Sequence, residues 1–133
     1  NMLERTAEEE LLPYCIEAGI SFIPYGPLAF GILGGKYTED FKLNEVDWRQ
    51  NVNLFEENTY KSNFKKVNKL KGLAKENDIE VSHLALAWLL NKEGIDTVIP
   101  GGKRAEQVRE SVKAVDVALN ERVMKEIQSI LED

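Results

Sequence analysis

The chain has 133 residues, 43% of them hydrophobic, which suits one globular unit with a hydrophobic core. Its formal net charge is −6, so a nucleic-acid backbone is not expected as a main partner, because such binding requires a basic face. The single cysteine, Cys15, allows no internal disulfide and indicates a reducing, cytoplasmic setting. No run of about 18 apolar residues occurs and no signal peptide opens the sequence, so we expect neither a membrane span nor secretion.

The N-terminal part predicts a helix and then a buried strand. Thr6 and Glu9 have the spacing of a capping box, so a helix is expected from there to about residue 18, with Gly19 closing it. Pro13 lies inside this helix and predicts a kink. Ile20–Tyr25 is apolar almost throughout, as a strand buried on both faces of a parallel sheet would be.

A glycine-rich apolar loop and a polar segment follow this strand. Gly26–Tyr37 carries four glycines among apolar residues, which favours a packed loop whose backbone approaches a ligand or a neighbouring segment. Composition leaves open the alternative that the loop only seals the end of a core. Thr38–Tyr60 is polar and acidic with scattered aromatic residues, and it predicts a long surface excursion.

Two helices are predicted in the middle of the chain. Asn63–Asn77 places apolar residues on one stripe and lysines opposite. Ser82 is expected to cap the next helix, whose body Leu84–Leu90 is apolar nearly all round and therefore buried on several sides. His83, the only histidine, has no second histidine, cysteine pair or carboxylate placed to share a metal, so we interpret it as structural.

The last third has the order of an anion-binding turn. A second strand, Ile95–Ile99, ends at a proline and is followed by Gly101 and Gly102, two cations and a helix. The N-terminus of a helix attracts anions, and Lys103 and Arg104 can pair with a phosphate. The alternative is an ordinary turn between strand and helix with a solvated pair of cations. Asn120 is expected to cap a last amphipathic helix.

The order of these elements predicts an α/β fold with two parallel strands and about five helices. Two parallel strands are too few to be stable alone, because both faces must be covered and both edges paired. We therefore expect the sequence to be part of a larger sheet.

Three motifs in the sequence resemble segments of the aldo-keto reductases. Tyr25–Tyr37 reads Y-G-P-L-A-F-G-I-L-G-G-K-Y and is similar to their loop after the seventh strand, usually written Y-S-P-L-x-x-G-L-L-T-G-K-Y. Ala85–Leu90, A-L-A-W-L-L, and Val98–Ser111, V-I-P-G-G-K-R-A-E-Q-V-R-E-S, resemble the seventh helix, eighth strand and cofactor loop. The start, Asn1–Arg5, looks like the end of the sixth strand. The resemblance implies that residues 1–133 are the C-terminal portion of a (β/α)₈ TIM barrel, without an internal boundary and without its N-terminal half.

The resemblance also implies a set of residues that bind NADP(H). Tyr25 would stack on the nicotinamide, the loop that follows would approach the pyrophosphate, and the cations would surround the 2′-phosphate. Gly26 stands where serine is common and Ser111 where asparagine is frequent. The implied cofactor-binding residues are Tyr25, Gly26, Pro27, Leu28, Gly31, Gly101, Gly102, Lys103, Arg104, Gln107, Glu110 and Ser111.

The family reduces aldehydes and ketones with an Asp, Tyr, Lys and His set from its early strands, and no segment here matches that set. The resemblance therefore implies a carbonyl-reducing parent whose catalytic residues lie outside the chain, and an isolated chain that is inactive. One alternative is a nucleotide-sensing subunit of the same family that turns over poorly. Another is a half-barrel that associates with copies of itself through open strand edges.

Overall fold

The computed structural model describes all 133 residues, and the regular structure in it is entirely helical. Its five α-helices are α1 (Leu11–Glu17), α2 (Glu57–Glu76), α3 (Val81–Leu90), α4 (Ala105–Val112) and α5 (Glu121–Glu132). Short 3₁₀ turns occur at Thr6–Glu8, Ala29–Gly34, Trp48–Asn51, Asn53–Phe55 and Lys113–Asp116. None of the helices combines the length and the apolar composition that a crossing of a membrane requires.

Helix α3 lies at the centre of the core, because its residues from Leu84 to Leu89 are at most 2% exposed. The sequence interpretation of this helix as apolar all round and buried is therefore confirmed. The helix α2 packs against α3, and α5 packs against α2. The buried residues of α2 recur every three or four positions and so lie on one face: Tyr60, Asn63, Val67, Leu70, Leu73 and Ala74.

The N-terminal segment is joined to α3 through Trp88. The Arg5 guanidinium lies 5.6 Å and the Lys92 ammonium 4.1 Å from the centre of the Trp88 ring, within the range of cation–π attraction. Glu8 accepts from both cations, at 2.8 Å from Arg5 and 3.1 Å from Lys92. Burial would raise the pKa of Glu8, but the hydrogen bonds from the two cations lower it overall.

The predicted α/β class, a TIM-barrel portion with two parallel strands, is wrong for this chain, although five α-helices are present. The segments Ile20–Tyr25 and Ile95–Ile99 contain no β-strand. One backbone hydrogen bond links the first segment to the residue just before the second, from the Phe22 N–H to the Gly94 carbonyl at 3.0 Å. The Ser21 hydroxyl also donates to the Asp96 carboxylate. Strand pairing requires a continuous ladder of such bonds, and here neither segment has a second neighbour.

The first helix also differs from its prediction. The Thr6 side chain bonds the Glu4 carboxylate and caps nothing, and a 3₁₀ turn precedes α1. Pro13 causes no kink inside a long helix because α1 begins two residues before it. In the first turn its missing N–H would have no helical partner in any case. Gly19 does end the helix, with a φ of +65° that favours glycine.

The other predicted caps have different outcomes. Asn120 caps α5 as expected, because its side-chain oxygen accepts the Val123 N–H at 3.0 Å. Ser82 caps nothing, since α3 already begins at Val81.

In α4 and the turn after it, three valines spaced on one face are 54–66% exposed: Val108, Val112 and Val115. No other part of the chain covers this apolar face.

We predict that Asn120→Ala lowers the free energy of unfolding by about 1 kcal/mol, because the N-cap hydrogen bond is lost. Urea denaturation followed by circular dichroism measures the change. Asn68→Ala is the matched control, because Asn68 is exposed in the interior of α2 and its side chain makes no hydrogen bond. Equal midpoints for the two variants would contradict the capping role.

Candidate cofactor-binding site

The first candidate loop contains a compact left-handed turn. Ala29 and Phe30 have φ values of 48° and 55°, and Gly31 follows at 108°. Two successive non-glycine residues in this region are costly, so their surroundings must hold them. The turn is tied to the preceding loop by the Ala29 N–H, which donates to the Gly26 carbonyl at 2.8 Å. Ala29 is fully buried, and this supports the interpretation of a packed loop.

Arg49 holds this turn from the polar excursion. Its Nη1 donates to the Phe30 carbonyl at 3.1 Å and to the Tyr37 hydroxyl at 2.7 Å. The same guanidinium forms a two-point pair with Asp47, at 2.9 Å and 2.6 Å. This hydrogen bonding lowers the pKa of Asp47 to about 2 and raises that of Arg49. At Gly31 an added Cβ would lie 2.7 Å from the Tyr37 hydroxyl oxygen, so glycine is required there.

The aromatic ring of Tyr25 is open to a ligand. Its residue is 80% exposed, and its ring meets the ring of Phe30 edge to face at 5.7 Å between centroids. Phe30 in turn meets Trp48, itself 59% exposed, at 5.4 Å and nearly perpendicular. A stacking residue needs an accessible ring face, and the exposed Tyr25 ring has one.

The residues between Tyr25 and the turn are less exposed than Tyr25. The Asn1 side-chain amide donates to the Gly26 carbonyl at 3.1 Å, and an added Cβ at Gly26 would lie 3.2 Å from the Phe30 ring. Pro27 is buried, and Leu28 is half-buried. Pro27 is therefore a packing residue of the loop, and only Gly26 and Leu28 of this stretch are partly accessible.

The second candidate turn precedes α4 and carries unpaired cations. Lys103 and Arg104 are exposed, and neither has a carboxylate within 4.0 Å. An added Cβ at Gly101 would meet no atom within 4 Å, so the backbone is open to close approach, whereas one at Gly102 would lie 2.9 Å from Val108. The unpaired charges and the open backbone fit an anion.

Gln107 changes one detail of the predicted anion site. Its side-chain oxygen accepts the N–H groups of Lys103 at 2.8 Å and Arg104 at 3.1 Å. These two N–H groups are therefore satisfied within the turn. The amide nitrogen of Gln107 donates to no protein atom, so it and the two cationic side chains remain to contact a ligand.

Asp47 connects the two candidate loops electrostatically. Its carboxylate pairs with Arg49, which binds the first loop, and the charge of Lys103 on the second turn contributes further to its low pKa.

Glu110 and Ser111 lie further along α4. The Lys113 ammonium donates to the Glu110 carboxylate at 2.7 Å and lowers its pKa. The second Glu110 oxygen lies 3.6 Å from Nε2 of His83. Ser111 is half-buried, and Glu110 is exposed.

The chain has no cluster of three or more histidine, cysteine, aspartate or glutamate side chains arranged to hold a metal ion. Cys15 is a buried free thiol in α1.

The sequence interpretation missed Arg49 and Asp47. Both lie in the segment that reads only as a polar excursion, and the sole local signal is an acidic residue at the start of a turn with arginine two positions later. This spacing permits the Asp47 side chain to accept the Arg49 N–H at 3.0 Å. It gives no indication that Arg49 reaches Phe30, 19 positions away.

Comparison with known proteins shows the family of the chain. A family model described as the aldo/keto reductase family matches residues 1–132. The aldo-keto reductase YhdN of Bacillus subtilis (strain 168) is 34% identical over 134 residues, covering 100% of this chain and 40% of that protein. A glycerol dehydrogenase structure from Gluconobacter oxydans has a TM-score of 0.90 at 25% identity, covering 98% of this chain and 40% of that chain. The chain therefore belongs to the aldo/keto reductase family and spans about 40% of the length of these relatives.

The names of other relatives state different cofactors or roles. An aldo-keto reductase of Schizosaccharomyces pombe, named with NADP(+), is 32% identical over 86% of this chain and 34% of that protein. An NADH-specific methylglyoxal reductase of Escherichia coli (strain K12) is 31% identical over 99% of this chain and 41% of that protein. A probable voltage-gated potassium channel subunit beta of Arabidopsis thaliana is also 31% identical, over 99% of this chain and 42% of that protein.

We predict that Arg49→Met speeds amide hydrogen exchange at Gly31 and Leu33 about fivefold, because two bonds to the first loop are lost. Exchange measured by nuclear magnetic resonance at constant pH reports the change. Arg122→Met is the matched control, since Arg122 is a surface residue of α5 that pairs only with Glu126. Wild-type exchange in the Arg49 variant would show that the turn holds itself.

Proposed function

We propose that this chain is the NADP(H)-binding part of an aldo-keto reductase that reduces aldehydes or ketones to alcohols. The observation that carries the proposal is the exposed, unpaired cation pair Lys103–Arg104 beside the open backbone of Gly101. Anionic ligands are bound where cations lack protein partners and the backbone can be approached closely. Membership of the aldo/keto reductase family supplies the reaction class.

Each part of the candidate site has a distinct role in this proposal. When bound, NADPH would supply the hydride, and the residues of this chain bind and orient it. Tyr25 offers its exposed ring to the nicotinamide, while Arg49 fixes the loop beneath it. Lys103 and Arg104 bind the 2′-phosphate. The amide nitrogen of Gln107, together with Glu110 and Ser111, contacts the adenosine.

The preference for NADP(H) over NAD(H) follows from the charges of the second turn. A 2′-phosphate gains from nearby cations, whereas a bare ribose hydroxyl is usually bound by an acidic side chain. The fission yeast relative named with NADP(+) supports this preference, and the NADH-specific relative shows that the family divides on it.

We predict that Lys103→Ala and Arg104→Ala each weaken NADP⁺ binding about fivefold, because a charge-assisted contact to the 2′-phosphate is lost. Binding of NAD⁺ should change by less than about twofold, because it lacks that phosphate. Isothermal titration calorimetry measures both affinities, and Lys65→Ala on the exposed face of α2 is the charge-matched control. Equal losses for both dinucleotides would contradict the assignment to the 2′-phosphate.

The same proposal places the catalytic residues and the rest of the domain outside these residues. Several large apolar side chains are at least half exposed, and they would contact the polypeptide that completes the domain: Ile20, Ile23, Ile99, Val108, Val112 and Val115. A carbonyl substrate would bind between the two parts. A cytoplasmic location belongs to this proposal and is supported by the buried free thiol of Cys15.

We predict that the 133-residue chain alone reduces no aldehyde with NADPH, because the proposal places the proton donor outside these residues. Absorbance of NADPH at saturating benzaldehyde measures this, with the completed domain as the positive control. Turnover by the chain alone would overturn the placement of the catalytic residues.

Light scattering on the same sample tests whether copies associate through the exposed apolar side chains.

A second candidate function is a nucleotide-sensing subunit that binds the dinucleotide and turns over poorly. The similarity to the probable potassium channel subunit beta favours it. Single-turnover oxidation of bound NADPH by an aldehyde in the completed domain discriminates the two, since only the reductase oxidises it on mixing.

A further inference from the structure

His83 is a buried titratable residue to which the proposed function gives no role. It lies in the first turn of α3, is 7% exposed, and its Nε2 is buried without a hydrogen-bond partner. Such atoms are rare in folded proteins, because desolvation without a partner costs stability. The closest carboxylate is that of Glu110, at 3.6 Å, just beyond hydrogen-bonding distance. No other carboxylate lies within 4.0 Å of the imidazole nitrogens.

The charged groups around this pair are few. The turn Ala29–Gly34, which packs on α3, has no charged residue, and the lysines of α2 lie outside its buried face. The 3₁₀ turn after α4 supplies Lys113 and Asp116. Lys113 binds the Glu110 oxygen that does not face His83. The other charged side chains of α4 pair with each other, Arg109 with Glu106 at 3.8 Å. Glu110 therefore lies between a permanent cation and a titratable one.

We propose that His83 is a positioning residue for the dinucleotide: its protonated ring fixes the Glu110 carboxylate, and affinity rises as pH falls. The inference rests on the proposed role of Glu110 at the adenosine end. His83 itself is buried under α4 and touches no ligand. It acts only through Glu110.

Two physical effects give the direction of this dependence. An imidazolium can donate from Nε2 to the facing carboxylate oxygen after a small rotation of Glu110, and a fixed carboxylate loses less freedom when ligand binds. The imidazolium charge also offsets the negative charge of the Glu110 carboxylate, which otherwise repels an anionic dinucleotide. Histidine changes charge between about pH 5 and 8, where ordinary carboxylates and lysines do not.

The test uses calorimetry from pH 5.5 to 8.0 to compare the NADP⁺ affinity of the wild-type protein with that of the His83→Gln variant. The 2′-phosphate itself titrates near pH 6, so the ratio of the two affinities is the quantity to follow. The N-terminal amine, whose pKa is lowered by burial, is present in both proteins and cancels from the ratio. As the pH falls from 8.0 to 5.5, we expect the NADP⁺ affinity of wild type to rise about threefold relative to that of the variant. Parallel profiles would overturn the inference and leave the proposed function intact.

Two variants of α4 provide matched controls. Glu110→Gln should reproduce the profile of His83→Gln, and it changes an exposed residue, so it serves as the test if the histidine variant does not fold. Glu106→Gln lies one turn earlier on the same helix, away from His83, and should follow wild type. Absence of NADP⁺ binding by wild type at every pH would refute the proposed function, and the inference with it.

A spectroscopic measurement tests the same linkage without activity. His83 is the only histidine, so its ring proton resonances report one titration. Because linkage is reciprocal, saturating NADP⁺ should move that titration to higher pH in wild type and leave it unchanged in Glu110→Gln. A purely structural histidine would titrate identically with and without NADP⁺, and that result would overturn the positioning role.

Discussion

The burial of α3 on all sides is the constraint on which the rest of the structure depends. A helix of this composition cannot face water, so it requires α2 on one side, the compact turn after residue 28 on another, and the segment around Ala114 on a third. The two candidate loops approach the site from segments that pack around this helix. The geometry of the site is thus set by hydrophobic packing before any charged residue contributes.

The charged residues then fix what packing leaves free. Arg49 joins the polar excursion to the left-handed turn of the first loop, and its pairing with Asp47 holds the guanidinium there. A left-handed Phe30 is unfavourable alone, and the arginine contact to its carbonyl compensates for part of that cost.

Local sequence chemistry predicted some features correctly and others wrongly, since the Thr6 and Ser82 caps are not formed, whereas features that need distant partners were missed or predicted wrongly. The all-round apolar pattern of α3, the Asn120 cap and the Gly19 helix end are local, and all three are present. The strands were wrong because β-structure requires neighbours, and residues 20–25 and 95–99 have almost none within the chain. The contact of Arg49 with Phe30 depends on how the whole excursion folds, and no short sequence pattern predicts that. The cofactor residues stay a prediction, since their role depends on a ligand.

The two tryptophans of the chain occupy opposite environments, and this gives the protein a built-in pair of optical probes. Trp88 is enclosed in the core with two cations close to its ring, whereas Trp48 lies in the aromatic row that begins at Tyr25. Emission from the enclosed indole should be blue-shifted and insensitive to soluble quenchers, while that of the other should be red-shifted and readily quenched. Fluorescence could therefore separate loss of the fold from rearrangement of the loops in one sample, without any label.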